Sequence, residues 1–128
     1  MTSYISHTSI DCADAYTLSR WWQTVLDWTD PPEGPDQPGD EECLIVAREG
    51  RHQLLFIQVP DAKQVKNRIH FDLRPTEGDR DTELARLLAL GAIEVDDLRR
   101  PDGTGWVVLA DPEGNEFCIL RGDAEQTG

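Results

Sequence analysis

Two apolar runs around a short polar turn decide the fold, in the stretch Trp106-Val107-Val108-Leu109-Ala110-Asp111-Pro112-Glu113-Gly114-Asn115-Glu116-Phe117-Cys118. Apolar runs on either side of such a turn predict two antiparallel strands. The same pattern occurs earlier, where the run 44–47 precedes a turn that contains Gly50 and the run 53–59 follows it. Both turns contain the pair Glu-Gly, ending at Gly50 and at Gly114. The two matching stretches predict an internal repeat.

A strand and a helix precede each of these hairpins. Residues 5–12 alternate as a strand does, and residues 68–74 alternate strictly between polar and apolar side chains. Asp14 is placed to cap a helix that runs to about residue 27, and Asp79 or Asp81 to cap a second helix that ends near Gly91. The predicted apolar faces of these helices are Leu18, Trp21, Trp22, Val25 and Leu26 in the first and Leu84, Leu87 and Leu88 in the second.

The repeat predicts an α+β fold with two modules, each a strand, a helix and three strands, in one domain over residues 1–128. The modules cover about residues 5–59 and 68–121, with their second strands near Trp28 and at residues 92–95. Residues 30–42 contain four prolines, six acidic residues and no apolar side chain, which predicts a mobile loop or a lid. The tail at residues 122–128 is expected to fray.

The composition predicts the redox environment of the chain and excludes some classes of partner. The 25 acidic residues outnumber the 12 Lys and Arg residues and give a net charge of −13. Such a surface repels phosphate groups, so we expect no nucleic-acid partner and no membrane partner. Cys12, Cys43 and Cys118 form no closely spaced pair, which favours a reducing cytoplasm over a disulfide framework.

Four stretches carry a resemblance to a known family: residues 11–26, 66–73, 88–92 and 106–118. Together with the repeat they resemble the glyoxalase-like branch of the vicinal oxygen chelate superfamily, over about residues 4–121. The resemblance implies two βαβββ modules that form a cup-shaped mixed sheet with the helices outside. It also implies a homodimer. It assigns no reaction, because this scaffold carries lyases, isomerases, dioxygenases and binding proteins.

The resemblance further implies a divalent-metal site on the first and last strands of each module. His7 and His70 occupy the first-strand positions, and imidazole with oxygen ligands suits Zn, Ni, Fe or Mn. Cys118 stands where metal-binding relatives carry Glu, and Glu116, the expected third ligand, lies two residues earlier. Two interpretations stay open: only the two histidines remain, or the set has moved to His7, His52, His70 and Glu116. The alternative without metal has both histidines hydrogen-bonded to neighbours, such as Asp11 or Asp72.

Further side chains are candidates for catalysis and ligand binding. Glu116 and Asp72 are the candidate proton-transferring acids, and Asp72 alternatively orients His70. The candidate pocket residues are His52, Phe56, Gln58, Arg68, Trp106 and Cys118. Most of them have an ordinary structural alternative: packing for Trp106 and Cys118, solvation for His52 and Gln58, and ion pairing for Arg68. The apolar residues Ile69, Phe71 and Leu73 are expected to face the helices.

Two functions are consistent with these observations, and both place a small-molecule ligand in the cup. The first is a metal-dependent lyase or isomerase of the glyoxalase type, with ring-opening oxygenation less favoured. The second is a metal-free protein that sequesters a drug or a hydrophobic metabolite between aromatic walls such as Phe56 and Trp106. The sequence leaves open whether the chain is an enzyme.

Overall fold

The computed structural model describes residues 1–127; Gly128 lies outside the described residues. The chain divides into two compact units, unit 1 (Met1–Lys63) and unit 2 (Gln64–Gly128). Each unit contains one mixed β-sheet and one α-helix, so the predicted α+β fold with a repeated module is confirmed. Within residues 1–127, neither helix is long and apolar enough to cross a membrane.

Unit 1 contains the elements β1 (Thr8–Cys12), α1 (Ala15–Leu26), β2 (Glu42–Val46) and β3 (Gln53–Gln58). The sheet order is β1-β3-β2, with β1 parallel and β2 antiparallel to β3. The second strand predicted near Trp28 is reduced to a single bridge between Thr29 and Val46. Residues 31 and 32 are both prolines, which carry no N–H group, so the chain cannot continue a ladder there.

Helix α1 begins and ends where the sequence predicts. The Asp14 side chain accepts hydrogen bonds from the backbone N–H of Thr17 at 3.1 Å and from its hydroxyl at 2.9 Å. These hydrogen bonds, first the one from the backbone, lower the pKa of the Asp14 carboxyl. Leu18, Trp22 and Val25 lie in the core, whereas the flanking Trp21 and Leu26 are half-buried.

Unit 2 has one strand more than unit 1 and contains β4 (Asp72–Leu73), α2 (Arg80–Ala89), β5 (Ile93–Asp97), β6 (Val107–Ala110) and β7 (Glu116–Ile119). The sheet order is β4-β7-β6-β5, with β4 parallel to β7 and the other neighbours antiparallel. Asp79 caps α2 through the Thr82 N–H, and Leu84 and Leu87 are buried. Leu88, predicted on the same face, is 40% exposed.

The predicted strand at residues 68–74 is much shorter in the structure, and Ile69 is exposed rather than packed on the helix. The reason is the amide side chain of Asn67. Its Oδ1 accepts from the Glu116 N–H at 2.8 Å, and its Nδ2 donates to the Glu116 carbonyl at 3.1 Å. Because these bonds satisfy the backbone of Glu116, the β4–β7 ladder begins only where the Cys118 N–H donates to the Phe71 carbonyl, at 2.9 Å.

The Asp-Pro-Glu-Gly-Asn turn is organised by one buried carboxylate. Asp111 is 1% exposed and accepts hydrogen bonds from the N–H groups of Glu113 (2.9 Å) and Asn115 (3.0 Å) and from the Asn115 side chain (3.0 Å). Gly114 has a φ of 86°, a conformation that side chains with a Cβ rarely adopt. The turn therefore fixes the antiparallel pairing of β6 and β7.

Polar contacts hold the two segments for which we expected mobility. In the loop at residues 30–42, Arg20 binds Asp30 at 2.8 Å and Asp36 at 3.8 Å, and the Leu44 N–H donates to the Asp36 carboxylate at 2.8 Å. A mobile loop or a lid stays a prediction. Within the described part of the tail, Asp123–Thr127 form a 3-10 helix, and Glu125 accepts hydrogen bonds from two backbone N–H groups, at 2.7 and 2.8 Å. Residue 128 lies outside the described residues, and fraying of the tail stays a prediction.

Candidate functional site

A row of four side chains crosses the sheet of unit 2 on one face. The strand registers pair Asp72 of β4 with Cys118 of β7, Cys118 with Val108 of β6, and Val108 with Asp96 of β5. Residues that are paired directly across neighbouring strands point to the same side of a sheet. Val107 and Leu109, which alternate with Val108, are fully buried on the opposite side. The row therefore lies on the face of the sheet opposite to Val107 and Leu109.

Three potential metal ligands meet at one end of this row. The ligand atoms of His70, Asp72 and Cys118 all lie within 4.8 Å of one another, and His70 Nε2 is 3.4 Å from Asp72 Oδ1. The two polar side chains are exposed, whereas Cys118 is 6% exposed. Burial, followed by the charge of Asp72 and a hydrogen bond with it, raises the pKa of the Cys118 thiol to about 11.

A pocket of about 350 Å³ lies on the same face of unit 2. Its apolar wall includes Val95, Leu98, Trp106, Val108 and Phe117, and its polar groups are Lys66, His70, Asp96, Glu116 and Cys118. His70 and Cys118 therefore belong both to the pocket wall and to the group of potential metal ligands. Asp96, Val95 and Leu98 were not predicted as pocket residues from the sequence. The β5–β6 register is irregular between Glu94 and Asp96, so that the consecutive residues Val95 and Asp96 both line the pocket, which simple strand alternation does not predict.

Glu116 lies in the pocket wall but outside the ligand group. Its carboxylate is 3.3 Å from the Lys66 ammonium group, and its side chain is 23% exposed. Both backbone hydrogen-bonding groups of Glu116 are held by Asn67, so the main chain at this position is fixed. Asn67 was not recognised as a site residue from the sequence, because nothing in its spacing indicates that its amide replaces a strand partner. Whether Glu116 moves a proton or binds a metal stays a prediction.

Of the remaining predicted residues of unit 2, two line the pocket and one does not. Trp106 and Cys118 line the pocket as predicted, and Trp106 is half-buried. Arg68 is exposed and is absent from the pocket wall. In unit 1, His7 is exposed, and its Nδ1 lies 3.0 Å from the Ser6 hydroxyl. The role of His7 as a metal ligand stays a prediction.

The strand pairing in unit 1 corrects the predicted alignment of the two last strands. Ser9 pairs with Leu55, just as Asp72 pairs with Cys118 in unit 2. Ser9 and Asp72 each follow the first-strand histidine by two residues. The counterpart of Cys118 is therefore Leu55, and the counterpart of Glu116 is Gln53, directly after His52. A one-residue slip moves every side chain to the opposite face of a strand, so the alignment that used His52 is wrong.

This correction changes the interpretation of three predicted pocket residues. Phe56 has no exposed surface and packs in the core of unit 1. His52 is exposed, with its ring centroid 5.1 Å from that of Trp28. Gln58 is exposed at the end of β3, where its N–H donates to the Glu41 carbonyl at 2.8 Å. For Phe56 and His52 the structure gives packing partners, and for Gln58 it gives a solvated strand end.

Comparison with known proteins identifies the family. The sequence matches the family model of the glyoxalase-like domain over residues 7–120. The chain therefore belongs to the glyoxalase-like domain family, as the resemblance predicted. No curated protein matches the sequence.

Solved structures with the same fold include three with distinct descriptions. One is the fosfomycin resistance protein FosX from Listeria monocytogenes, as an E126Q mutant complexed with Mn(II) and 1S,2S-dihydroxypropylphosphonic acid. It is 19% identical with a TM-score of 0.72, and the match covers 98% of this chain and 95% of the FosX chain. A glyoxalase/bleomycin resistance protein/dioxygenase superfamily member from Sphaerobacter thermophilus is 15% identical with a TM-score of 0.64, covering 93% and 97%. Lactoylglutathione lyase from Agrobacterium tumefaciens is 17% identical with a TM-score of 0.62, covering 98% and 97%. At these identities the likeness establishes the fold alone.

Proposed function

We propose that this glyoxalase-like protein binds a small molecule in the pocket of unit 2, next to a divalent metal ion held by His70, Asp72 and Cys118. The observation that carries the proposal is the approach of these three ligand atoms to within 4.8 Å of one another at the pocket wall. Three protein ligands with an open further position are typical of catalytic metal sites. Binding of Mn(II) by FosX from Listeria monocytogenes is consistent with a metal on this scaffold.

The chemistry of the donor set favours one type of ion. An imidazole nitrogen, a carboxylate oxygen and a sulfur together suit Zn²⁺, which accepts all three kinds of ligand. Mn²⁺ prefers oxygen ligands, so the thiol makes the site less suitable for it. Of the metals considered from the sequence, namely Zn, Ni, Fe and Mn, the residues of unit 2 therefore fit Zn best. Glu116, the third ligand expected from the sequence, is not part of this group.

The side chains around the pocket indicate how a reaction would be supported. A bound zinc ion supplies Lewis-acid polarisation of a substrate oxygen. In this proposal Glu116 accepts or donates the proton, a role supported by its position in the pocket wall and by the two hydrogen bonds through which Asn67 holds its main chain. The Lys66 ammonium group lies 3.3 Å from the Glu116 carboxylate and forms an ion pair with it. The reaction class that matches this arrangement is a glyoxalase-type isomerisation or lyase reaction.

A second candidate is a metal-free binding protein, and one observation favours it specifically. The pKa of Cys118 is raised to about 11, so the thiol stays protonated at neutral pH and is a poor ligand until a metal displaces its proton. In that case His70 lines the pocket with Asp72 beside it, 3.4 Å from its Nε2 atom, and the protein sequesters its ligand without chemistry.

Isothermal titration of Zn²⁺ into protein purified without a histidine tag separates the two candidates. We expect one zinc ion per chain, and we expect Cys118→Ala and His70→Ala each to weaken zinc binding by at least about a hundredfold, since even residues behind the ligands contribute 10–100-fold. Cys43→Ala is the matched control, because Cys43 is also a buried free cysteine but lies in unit 1. Absence of zinc binding at millimolar concentration would leave the metal-free binding protein as the function.

The state of the chain in the cell is part of the same proposal. We infer a homodimer from the family resemblance, and a cytoplasmic location is supported by the cysteines, because Cys12, Cys43 and Cys118 form no disulfide within residues 1–127. Light scattering coupled to size-exclusion chromatography tests the dimer directly. A monomer at micromolar concentration would contradict it.

A further inference from the structure

We propose that the ligand of the unit 2 pocket is an organic cation with an apolar or aromatic body, recognised by Asp96 and Trp106. The inference deepens the proposed function and rests on that pocket being the ligand site. Asp96 lines the pocket, and its pairing with Val108 places it on the same face as Cys118. It lies at the opposite end of the row from the potential metal ligands.

The charges in the pocket leave one carboxylate to be neutralised. The Lys66 ammonium group and the Glu116 carboxylate form an ion pair with each other at 3.3 Å, and the Asp72 carboxylate is not part of the pocket wall. The Asp96 carboxylate makes no hydrogen bond and no ion pair within residues 1–127, whereas that of its neighbour Asp97 is bound by Arg99 at 2.7 Å. A ligand with a positive group therefore satisfies the one pocket carboxylate that the protein leaves unpaired.

The walls next to Asp96 suit the rest of such a molecule. The half-buried indole of Trp106 and the side chains of Val95 and Val108 supply apolar contact. An indole ring also attracts a cation through its face, so Trp106 and Asp96 favour the same kind of group. The net charge of −13 on the chain attracts cations at long range and repels anions.

The sheet geometry sets the length of the expected ligand. Asp96 and Cys118 are two strands apart, which places their positions about 10 Å from each other. A molecule that contacts both ends of the row therefore carries its positive group about 10 Å from the part that faces His70 and Cys118. A four-carbon chain between a phenyl ring and an amine has approximately this span, which makes it a suitable probe.

Three matched probes test the inference: 4-phenylbutylamine, 4-phenylbutanol and 4-phenylbutyrate, which share one body and differ in the charge of the head group. Each is titrated into ¹⁵N-labelled full-length protein, and binding is followed at the Trp106 indole N–H and the Asp96 amide. The Trp106 signal is assigned by its loss in Trp106→Phe. We expect the amine to bind about tenfold more tightly than the alcohol, the typical gain of a charge-assisted contact, and the carboxylate to bind most weakly.

The variants separate recognition by Asp96 from general electrostatic attraction. Asp96→Asn should abolish the preference for the amine, so that the amine and the alcohol bind with about equal affinity, because the substitution removes the charge that pairs with the amine. Glu94→Gln is the matched control: it removes the same charge from the same strand, but Glu94 pairs with the core residue Leu109 and is absent from the pocket wall. It should leave the preference unchanged.

Equal binding of the three probes, tighter binding of 4-phenylbutyrate, or an unchanged preference in Asp96→Asn would overturn the inference. Failure of every probe to shift the Trp106 signal at millimolar concentration would overturn it as well. Each of these results leaves the zinc titration unaffected. A failed cation inference is therefore distinguishable from a failed metal site.

Discussion

Replacement of Asp111 by Ala tests whether one buried carboxylate organises the turn between β6 and β7. Asp111 is 1% exposed and accepts three hydrogen bonds, at 2.9, 3.0 and 3.0 Å. A hydrogen bond to a charged group contributes about 1.5–3 kcal/mol. Glu113 and Asn115 are themselves only partly buried, so water replaces some of the lost contacts. We therefore expect Asp111→Ala to lower the free energy of unfolding by about 2–4 kcal/mol, less than the sum of three bonds.

Urea unfolding followed by circular dichroism measures this change. Asp111→Asn keeps a carbonyl oxygen that can accept from the two backbone N–H groups, so we expect it to cost about half as much as the alanine variant. The exposed residue Asp61 supplies the control, and Asp61→Ala should change the free energy of unfolding by less than about 0.5 kcal/mol. If Asp111→Ala is as stable as the Asp61 variant, the turn does not depend on this carboxylate.

Three further predictions concern the elements that support the site. Asp14→Ala should cost about 1 kcal/mol through loss of the α1 cap. Because the pKa of Asp14 is lowered in the folded state, its carboxylate stabilises the wild-type protein above pH 3.8, and this stabilisation is lost as the pH falls further. Urea unfolding at several pH values should show this loss in the wild-type protein and not in Asp14→Ala. Gly105→Ala should prevent correct folding of unit 2, because the added Cβ would overlap the Leu98 carbonyl and Gly105 has a φ of 91°. Gly50→Ala is the control: its Cβ meets no atom within 4 Å, so this variant should still give a native NMR spectrum. A native spectrum for Gly105→Ala would contradict the loop geometry. Arg20→Ala should accelerate hydrogen exchange of the Leu44 amide, because it releases Asp36; an unchanged rate would show that Arg20 does not anchor the loop.

The repeated module could be predicted from the sequence because each of its features depends on residues that are close together in the chain. The cap of α1 at Asp14, the buried positions Leu18 and Trp22, and the turn at Gly114 each follow from residues a few positions apart. The second strand of unit 1 failed for an equally local reason, since the prolines after Thr29 allow only a single bridge.

The candidate site was less predictable because it depends on register between distant strands. The repeat spacing aligned His52 with Glu116, whereas the pairing of Ser9 with Leu55 aligns Gln53 with it. The side chain of Asn67 makes the hydrogen bonds to the Glu116 backbone that a neighbouring strand would otherwise make. No sequence pattern predicts that a side chain takes the place of a strand in this way. The row from Asp72 to Asp96 required the pairing of four strands, so Asp96 could not be recognised from β5 alone.

X-ray absorption spectroscopy of the zinc-loaded protein, purified without a histidine tag, tests the central claim most directly. The proposed site predicts one sulfur at about 2.3 Å from zinc and nitrogen and oxygen ligands at about 2.0–2.2 Å. The sulfur contribution should disappear in Cys118→Ala and persist in Cys43→Ala. A first shell of nitrogen and oxygen without sulfur in the wild-type protein would contradict a metal site formed by His70, Asp72 and Cys118.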